Sequence, residues 1–267
     1  MKIGIMQGRV LPSDANKLQI FPRNWVKELF AIKEIGFDAV ELLDDKGGKL
    51  RRLLRADKKK IFDGISTSGL ECTSICADNL CQFSFLDQEN VFIKQLKKIS
   101  EHFIKFPGFV IVIPFFDNNS LKSEKELGLV FKKISSLGGY IEKSGLNISL
   151  EIDMPAEKLA KVYDTNSKSL KNIGFCYDLG NRYSQKADLS REIAILGNRI
   201  NHVHIKYKVN GKNVRINRYD PKYLSGFRAL NEIGYSDPHI LETGIFPDPR
   251  KEAAKNLSTV KEYLKRI

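Results

Sequence analysis

Several features are scarce in this sequence, and each scarcity excludes a class of protein. No apolar run approaches the roughly 20 residues that a membrane span needs, and a strand-like segment starts at the N-terminus, so we expect no transmembrane helix and no signal peptide. No Pro- or Ser-rich linker, internal repeat or low-complexity stretch interrupts the chain, which predicts a single domain over residues 1–267. Together these absences predict a cytoplasmic protein without a membrane partner.

Cysteine is also sparse, and its spacing argues against a zinc site. The paired C-x-x-C spacing of a structural zinc site does not occur. In a cytosolic protein, isolated cysteines on strands are usually small core residues. We therefore expect core packing for all four: Cys72, Cys76, Cys81 and Cys176.

Acidic residues are outnumbered, with 32 Asp and Glu against 44 Lys and Arg, for a formal net charge of +12. The basic excess falls on helix faces and tails without interleaved aromatics, which favours a solvated basic surface and argues against a nucleic-acid partner. Attraction of a small anion such as a sugar phosphate is the alternative use. A basic group late in the chain could hold such a phosphate or form a solvated loop: Lys208, Lys212, Arg215 and Arg218.

What the sequence does contain is a regular alternation of short apolar runs with helical patterns. Strands are predicted near residues 2–6, 38–42, 71–75, 109–114, 147–151, 173–178, 200–206 and 238–242. Eight strands and about eight helices fit an α/β protein of the (β/α)8 TIM-barrel class, whose usual size is about 250 residues.

Helix signals support this pattern. A helix is predicted over residues 24–35, after Pro22 and ending at Gly36, and the last helix opens with Asp248-Pro249. The second helix is predicted to bury one apolar side, Leu50, Leu53, Leu54 and Ile61. Its other side is predicted to face water, with Arg51, Arg52, Arg55, Lys58, Lys59 and Lys60.

Four successive strands end on side chains that can bind a divalent metal: Glu151, Asp178, His204 and Glu242. In a parallel barrel the C-terminal ends of the strands form the catalytic rim, so these side chains are predicted to converge there. Three carboxylates and one imidazole form an oxygen-rich set that suits Mn²⁺ or Mg²⁺, with Co²⁺ or Zn²⁺ as further possibilities.

Five segments, in the expected order over nearly the whole length, resemble the sugar phosphate isomerase/epimerase group of the xylose-isomerase-like TIM-barrel superfamily. They are residues 2–9 (KIGIMQGR), Phe21-Pro22 with Trp25, 36–41 (GFDAVE), 74–78 (SICAD) and 176–181 (CYDLGN). The resemblance implies one divalent metal held by Glu151, Asp178, His204 and Glu242. It also implies that Glu151 and Glu242 form an acid/base pair.

Such a site predicts isomerisation or epimerisation of a sugar or sugar phosphate. A proton next to a ketone is removed, and the divalent ion stabilises the resulting enediolate. Two glutamates on opposite faces would give epimerisation, whereas one carboxylate moving the proton between neighbouring carbons would give aldose–ketose isomerisation. The sequence leaves both outcomes open.

Four further residues are expected at the rim as substrate-binding groups: Arg9, Asp78, Asn181 and Lys206. Period-two alternation places Lys206 on the same strand face as His204. Salt bridges at the rim or turn capping are the alternative roles for Lys206 and Asn181.

The chain departs from its relatives after His204. Similar proteins read His-Ile-Lys-Asp-Arg and then a loop ending in Pro-Leu-Gly-x-Gly, whereas here Lys206 is followed by Tyr-Lys-Val-Asn-Gly-Lys. A specialised substrate would explain the change. So would a non-catalytic sugar-binding or regulatory barrel that keeps the metal pocket.

An abasic-site nuclease of the endonuclease IV kind is a further alternative on the same barrel. Those enzymes use three zinc ions and several histidines, whereas this chain has four histidines, and His102 is predicted to lie in the middle of a helix. The ligand count therefore argues against DNA repair. Relatives often form dimers or tetramers, so a homo-oligomer is a further expectation.

Overall fold

Parallel strands close into a barrel in the computed structural model, which describes residues 1–11, 19–166 and 171–267. The strands are β1 (Ile3–Met6), β2 (Ala39–Leu43), β3 (Glu71–Cys76), β4 (Val110–Pro114), β5 (Asn147–Glu151), β6 (Ile173–Asp178), β7 (Ile200–Ile205), β8 (Tyr207–Val209), β9 (Lys212–Val214) and β10 (His239–Leu241). The closed order is β1-β10-β7-β6-β5-β4-β3-β2, and β8 and β9 form a separate two-stranded sheet. The eight barrel strands confirm the predicted TIM barrel.

Helices surround this barrel on the outside. They are α1 (Trp25–Ile35), α2 (Lys49–Ser68), α3 (Glu89–Ser100), α4 (Glu124–Ser135), α5 (Gly138–Ser144), α6 (Ala156–Asn166), α7 (Leu179–Ser184), α8 (Leu189–Leu196), α9 (Pro221–Glu232) and α10 (Pro249–Leu264). Most buried apolar residues form one continuous core between strands and helices. Within the described ranges, no helix combines the length and apolar content needed to cross a membrane.

The predicted helix boundaries agree with the structure where capping chemistry is clear. Gly36 ends α1 with a φ of 101°, a left-handed conformation that favours glycine. The Asp248 carboxylate accepts a hydrogen bond from the Lys251 backbone N–H at the start of α10, and Pro249 occupies the first turn. The cysteines are free, and only Cys72 is partly exposed, which agrees with their predicted core role.

The second helix differs from the prediction in two ways. Asp57 has non-helical angles that kink α2, and its carboxylate caps the following turn by accepting from the Lys60 N–H at 3.0 Å. The predicted exposure of Arg51 is wrong: its guanidinium is buried against Asp44, with Nε within 2.7 Å of Oδ2. Helical periodicity identified the apolar side but not a buried acid on the loop after β2.

A buried glutamate on α1 fixes the loop that follows β1. The Glu28 carboxylate accepts hydrogen bonds from the backbone N–H groups of Gly8 and Val10, each at 3.0 Å, and of Leu11 at 3.3 Å. Burial raises the pKa of Glu28, and these hydrogen bonds, which lower the pKa, offset only part of that shift. The loop therefore holds Arg9, one of the predicted rim residues, in a fixed position.

His239, at the opposite end of the barrel from the rim, is predicted to make the protein sensitive to acid. Burial, with the nearby N-terminal amino group, lowers the pKa of His239 to about 4. An unfolded histidine takes up its proton near pH 6.5, so this contribution to stability is complete above that pH. It is lost as the pH falls towards 4, by about 3 kcal/mol.

Urea unfolding of the wild type and His239→Leu at pH 7 and pH 4 measures this effect. We expect the wild type to lose about 3 kcal/mol more than the variant over this range, because carboxylates titrate in both proteins and cancel in the comparison. Equal losses in the two proteins would contradict a buried neutral imidazole at position 239.

Candidate functional site

The four predicted metal ligands meet at the C-terminal rim of the barrel. Glu151 and Asp178 are the last residues of β5 and β6, His204 is the penultimate residue of β7, and Glu242 directly follows β10. All four are buried, and each offers a ligand atom within 4.8 Å of the others. The strand order places two strands, β6 and β7, between the strands of Glu151 and Glu242, which therefore lie on either side of His204.

The imidazole of His204 faces both glutamates with one ring nitrogen. Its Nδ1 lies 3.3 Å from Glu242 Oε2 and 3.6 Å from Glu151 Oε2. Its Nε2 lies on the other side of the ring, 3.0 Å from Glu41 Oε1. The two nitrogens therefore have separate partners, and Nδ1 is the one directed into the carboxylate cluster.

Lys206 supplies a positive charge to the same cluster. Its Nζ lies 2.5 Å from Asp178 Oδ2 and 2.7 Å from Glu242 Oε2. His204 and Lys206 are two residues apart, so they lie on one strand face, and both contact Glu242. Buried carboxylates need a compensating charge, and this ammonium provides part of it.

The acidic side chains differ in their electrostatic surroundings. Burial raises the pKa of Asp178 to about 6 in spite of the nearby Lys206 ammonium. For Glu242, burial is outweighed by Lys206 and His204, which hold its pKa well below the usual range. Glu242 is therefore a carboxylate at neutral pH, and its charge is available to a cation.

The donor set fits a divalent cation. His204 Nδ1 is buried and makes no hydrogen bond with the residues that the structure describes, although two carboxylates lie within 3.6 Å of it. An unsatisfied buried polar atom is costly, and a coordinated ion would satisfy this nitrogen. Three carboxylates and one imidazole form an oxygen-rich donor set of a kind that divalent cations accept.

An open cavity of about 640 Å³ lies directly above this cluster. Glu151 and Glu242 line it, as do the four predicted substrate-binding residues: Arg9, Asp78, Asn181 and Lys206. The volume falls in the range of small-molecule sites, roughly 300–1,000 Å³. Acid and base candidates, charged groups and space for a small polar ligand are thus found together.

Asn181 links the acidic cluster to the cavity wall. Its backbone N–H donates to Asp178 Oδ1 at 2.8 Å, so Asp178 also caps α7. Its side-chain Nδ2 donates to Glu151 Oε1 at 3.3 Å, and its Oδ1 accepts from Lys208 Nζ at 2.9 Å. Asp178 is therefore the capping residue, whereas the side chain of Asn181 makes its contacts with Glu151 and Lys208 at the cavity.

Arg9 and Asp78 lie on the other side of the cavity. The Arg9 guanidinium lies 4.0 Å from Glu242 Oε1 and donates to Gln19 Oε1 at 2.8 Å. Burial raises the pKa of Asp78 to about 6. Both groups line the cavity above Glu151 and Glu242.

A hairpin occupies the position where the chain departs from its relatives. Strands β8 and β9 pair through Asn210-Gly211, and both residues have positive φ, as a two-residue hairpin turn requires. Lys208 and Lys212 line the cavity. Arg215 and Arg218 instead pair with acidic side chains on α10, so the predicted basic group is divided.

Two contributors were missed from the sequence. Glu41, inside β2, is fully buried and contacts both His202 and His204. Gln19 donates from Nε2 to Glu242 Oε1 at 2.7 Å. An acidic residue within the apolar run AVELL was a visible signal for Glu41, whereas Gln19 carries no local signal.

Of the four histidines, all of which fall within the described residues, His204 is the one at the rim. His202 lies two residues before His204 on β7, and His239 lies at the start of β10, at the far end of the barrel. The predicted mid-helix position of His102 is wrong, because α3 ends at Ser100 and His102 lies in the turn that follows. Only His204 joins the three carboxylates.

Comparisons with known proteins agree with this architecture. The chain is 24% identical over 252 residues to L-ribulose-5-phosphate 3-epimerase UlaE of Salmonella heidelberg (strain SL476), over 89% of each chain. The structure of 3-keto-D-glucoside 4-epimerase YcjR from E. coli matches with a TM-score of 0.72 and 21% identity, over 98% of this chain and 99% of that one. The IOLI protein with a bound zinc atom matches with a TM-score of 0.70 and 17% identity, over 100% and 97%.

A family model extends these likenesses to most of the sequence. The model described as the xylose isomerase-like TIM barrel matches residues 29–263, from the middle of α1 to the end of α10. The matched region includes the four residues that converge at the rim: Glu151, Asp178, His204 and Glu242. The chain therefore belongs to the xylose isomerase-like TIM barrel family, as its resemblance in sequence predicted.

Proposed function

We propose that this protein is a divalent-metal-dependent isomerase or epimerase of a sugar or sugar phosphate. The observation that carries the proposal is the convergence of Glu151, Asp178, His204 and Glu242 within 4.8 Å, at the floor of a cavity that fits a small polar ligand. We assign the four side chains as metal ligands, and Glu151 and Glu242 also as the acid/base pair.

Proton transfer by the two glutamates is the chemical core of the proposal. Glu151 and Glu242 approach the His204 ring from strands on either side, so a ligand above the ring would lie between two carboxylates. One glutamate removes a proton from the carbon next to a carbonyl, and the other returns a proton on the opposite face, which inverts that carbon. The bound divalent ion would stabilise the negative charge that develops on two neighbouring oxygens.

The remaining cavity residues orient the substrate. Lys206, Asn181, Arg9 and Asp78 present cationic, amide and carboxyl groups around the acidic floor. Sugar hydroxyls both donate and accept hydrogen bonds, so a mixed lining of this kind suits them. We assign these four residues to substrate binding.

Two relatives support the reaction class. The UlaE protein is named as an epimerase of a pentulose phosphate and YcjR as an epimerase of a keto-glucoside. Both names describe proteins that invert one carbon of a sugar. Mn²⁺ or Mg²⁺ is the proposed ion, and the zinc in the IOLI structure keeps Zn²⁺, with Co²⁺, as an alternative.

Solvent deuterium incorporation tests the proposal. Purified protein is incubated in D2O with a panel of ketoses and ketose phosphates, with and without added Mn²⁺, and carbon-bound deuterium is measured by NMR. We expect label next to the carbonyl of at least one sugar, only when the ion is present. No label with any sugar in the panel under metal-loaded conditions would count against the proposed enzyme.

A non-catalytic sugar-binding or regulatory barrel is the second candidate. The observation in its favour is the β8–β9 hairpin, which replaces the loop that similar proteins carry after the histidine. Such a protein would bind Mn²⁺ and a sugar without exchanging a substrate hydrogen. Calorimetric binding of a sugar that acquires no deuterium would favour this candidate over the enzyme.

A further inference from the structure

Glu41 is a buried carboxylate that reaches the metal-ligand histidine from across the barrel. It lies in β2, which is separated from β7 by β1 and β10 in the closed sheet. Its side chain is fully buried, with Oε1 3.0 Å from His204 Nε2 and Oε2 2.8 Å from His202 Nε2. One carboxylate thus contacts two imidazoles in the barrel interior.

This contact determines which nitrogen of His204 can carry a proton. A neutral imidazole has one N–H and one lone pair. A carboxylate only accepts hydrogen bonds, so Glu41 favours the N–H on Nε2. The lone pair then resides on Nδ1, which is the atom that faces Glu151 and Glu242.

The second oxygen of Glu41 faces another imidazole. His202 Nε2 lies 2.8 Å from Oε2, so the side chain lies between two imidazoles. Neither histidine is exposed, and a buried charge without partners would be costly. His202 and Glu41 therefore form a buried pair that packs against His204 and is not open to solvent.

We propose that Glu41 is a positioning residue that holds the N–H of His204 on Nε2 and so presents Nδ1 to the divalent ion. The inference rests on the proposed metal site. Partners of this kind, behind a metal-binding histidine, commonly change metal affinity by about 10–100-fold when they are removed. Glu41 itself lies on the Nε2 side of the ring, away from Glu151 and Glu242.

A series of variants at position 41 tests this role through Mn²⁺ affinity, measured by isothermal titration calorimetry. Glu41→Met removes the acceptor while keeping a similar length, and we expect about 10–100-fold weaker binding. Glu41→Gln keeps a carbonyl that can accept from Nε2, so its affinity should lie between those of the wild type and Glu41→Met. Equal affinity in all three proteins would overturn the positioning role.

Asp44→Asn is the matched control. Asp44 is a second buried carboxylate, just beyond the end of β2, but its partner is Arg51 rather than a histidine. We expect this variant to lose stability and to keep wild-type Mn²⁺ affinity. Weakening equal to that of Glu41→Met would show that any buried charge near β2 affects the site, and would overturn the assignment.

A measurement on the wild type keeps the inference testable even if Glu41→Met fails to fold. Nitrogen-15 NMR of histidine-labelled protein with Zn²⁺ should show His204 with its proton on Nε2 and Nδ1 coordinated. Coordination through Nε2 would overturn the role of Glu41 and leave the metal site intact. If the wild type binds no divalent ion at all, the metal site and the role of Glu41 both fail.

Discussion

Glu242→Gln is expected to abolish metal-dependent incorporation of solvent deuterium while the barrel stays folded. The substitution keeps the size of the side chain but removes its charge and its ability to accept a proton. Loss of a general base alone costs about 10²–10⁴-fold in rate, and loss of a carboxylate ligand adds to this. Exchange should therefore fall below detection, as measured by NMR on the same sugar that the wild type labels.

Glu71→Gln is the control, because it makes the same substitution of glutamine for glutamate at the other end of the barrel. Glu71 begins β3, and its half-exposed side chain pairs with Lys2. Its replacement should leave exchange at the wild-type rate. If Glu242→Gln retained the label at a rate close to that of Glu71→Gln, Glu242 would have no role in proton transfer.

Arg51→Ala is expected to lower the free energy of unfolding by about 3–5 kcal/mol, the range for a buried ion pair that loses one partner. The Asp44 side chain is fully buried, and both of its oxygens lie within 2.9 Å of Arg51 Nε. Without the guanidinium, this carboxylate remains buried with its main counter-charge removed. Urea unfolding at pH 7 measures the difference.

The adjacent arginine is the matched control. Arg52 lies one position further along α2 and is exposed, with a hydrogen bond from Nη1 to the Gly47 carbonyl. Arg52→Ala should cost less than about 1 kcal/mol, as expected for exposed polar contacts. Similar losses in the two variants would contradict the distinction between a buried pair and a surface arginine.

Much of the fold could be predicted because barrel strands and helices leave local signals. Each barrel strand was predicted within about two residues, since a short apolar run between turns specifies a buried parallel strand. The β8–β9 hairpin was missed although Asn210-Gly211 between alternating residues is a strong hairpin signal. The resemblance to the family identified the Pro-Leu-Gly-x-Gly ending that this loop lacks, but not the hairpin that it forms.

The same distinction between local signals and long-range contacts applies to the site. Glu151, Asp178, His204 and Glu242 could be grouped from the sequence because barrel closure brings the ends of consecutive strands to one rim. Glu41 could not be assigned, because its contact with β7 crosses the barrel interior and depends on the closed order of the strands. The exposure of Arg51 was mispredicted for a similar reason, since a helical pattern does not reveal a partner outside the helix.

The most direct test of the account is the Mn²⁺ stoichiometry of the wild type and of Asp178→Asn, measured by calorimetry and electron paramagnetic resonance. Asparagine can still cap α7, so the variant removes a charge with little change in the fold. We predict one tightly bound ion per wild-type chain and at least tenfold weaker binding in the variant. Absence of binding in the wild type, or equal affinity in both proteins, would contradict the proposed metal centre.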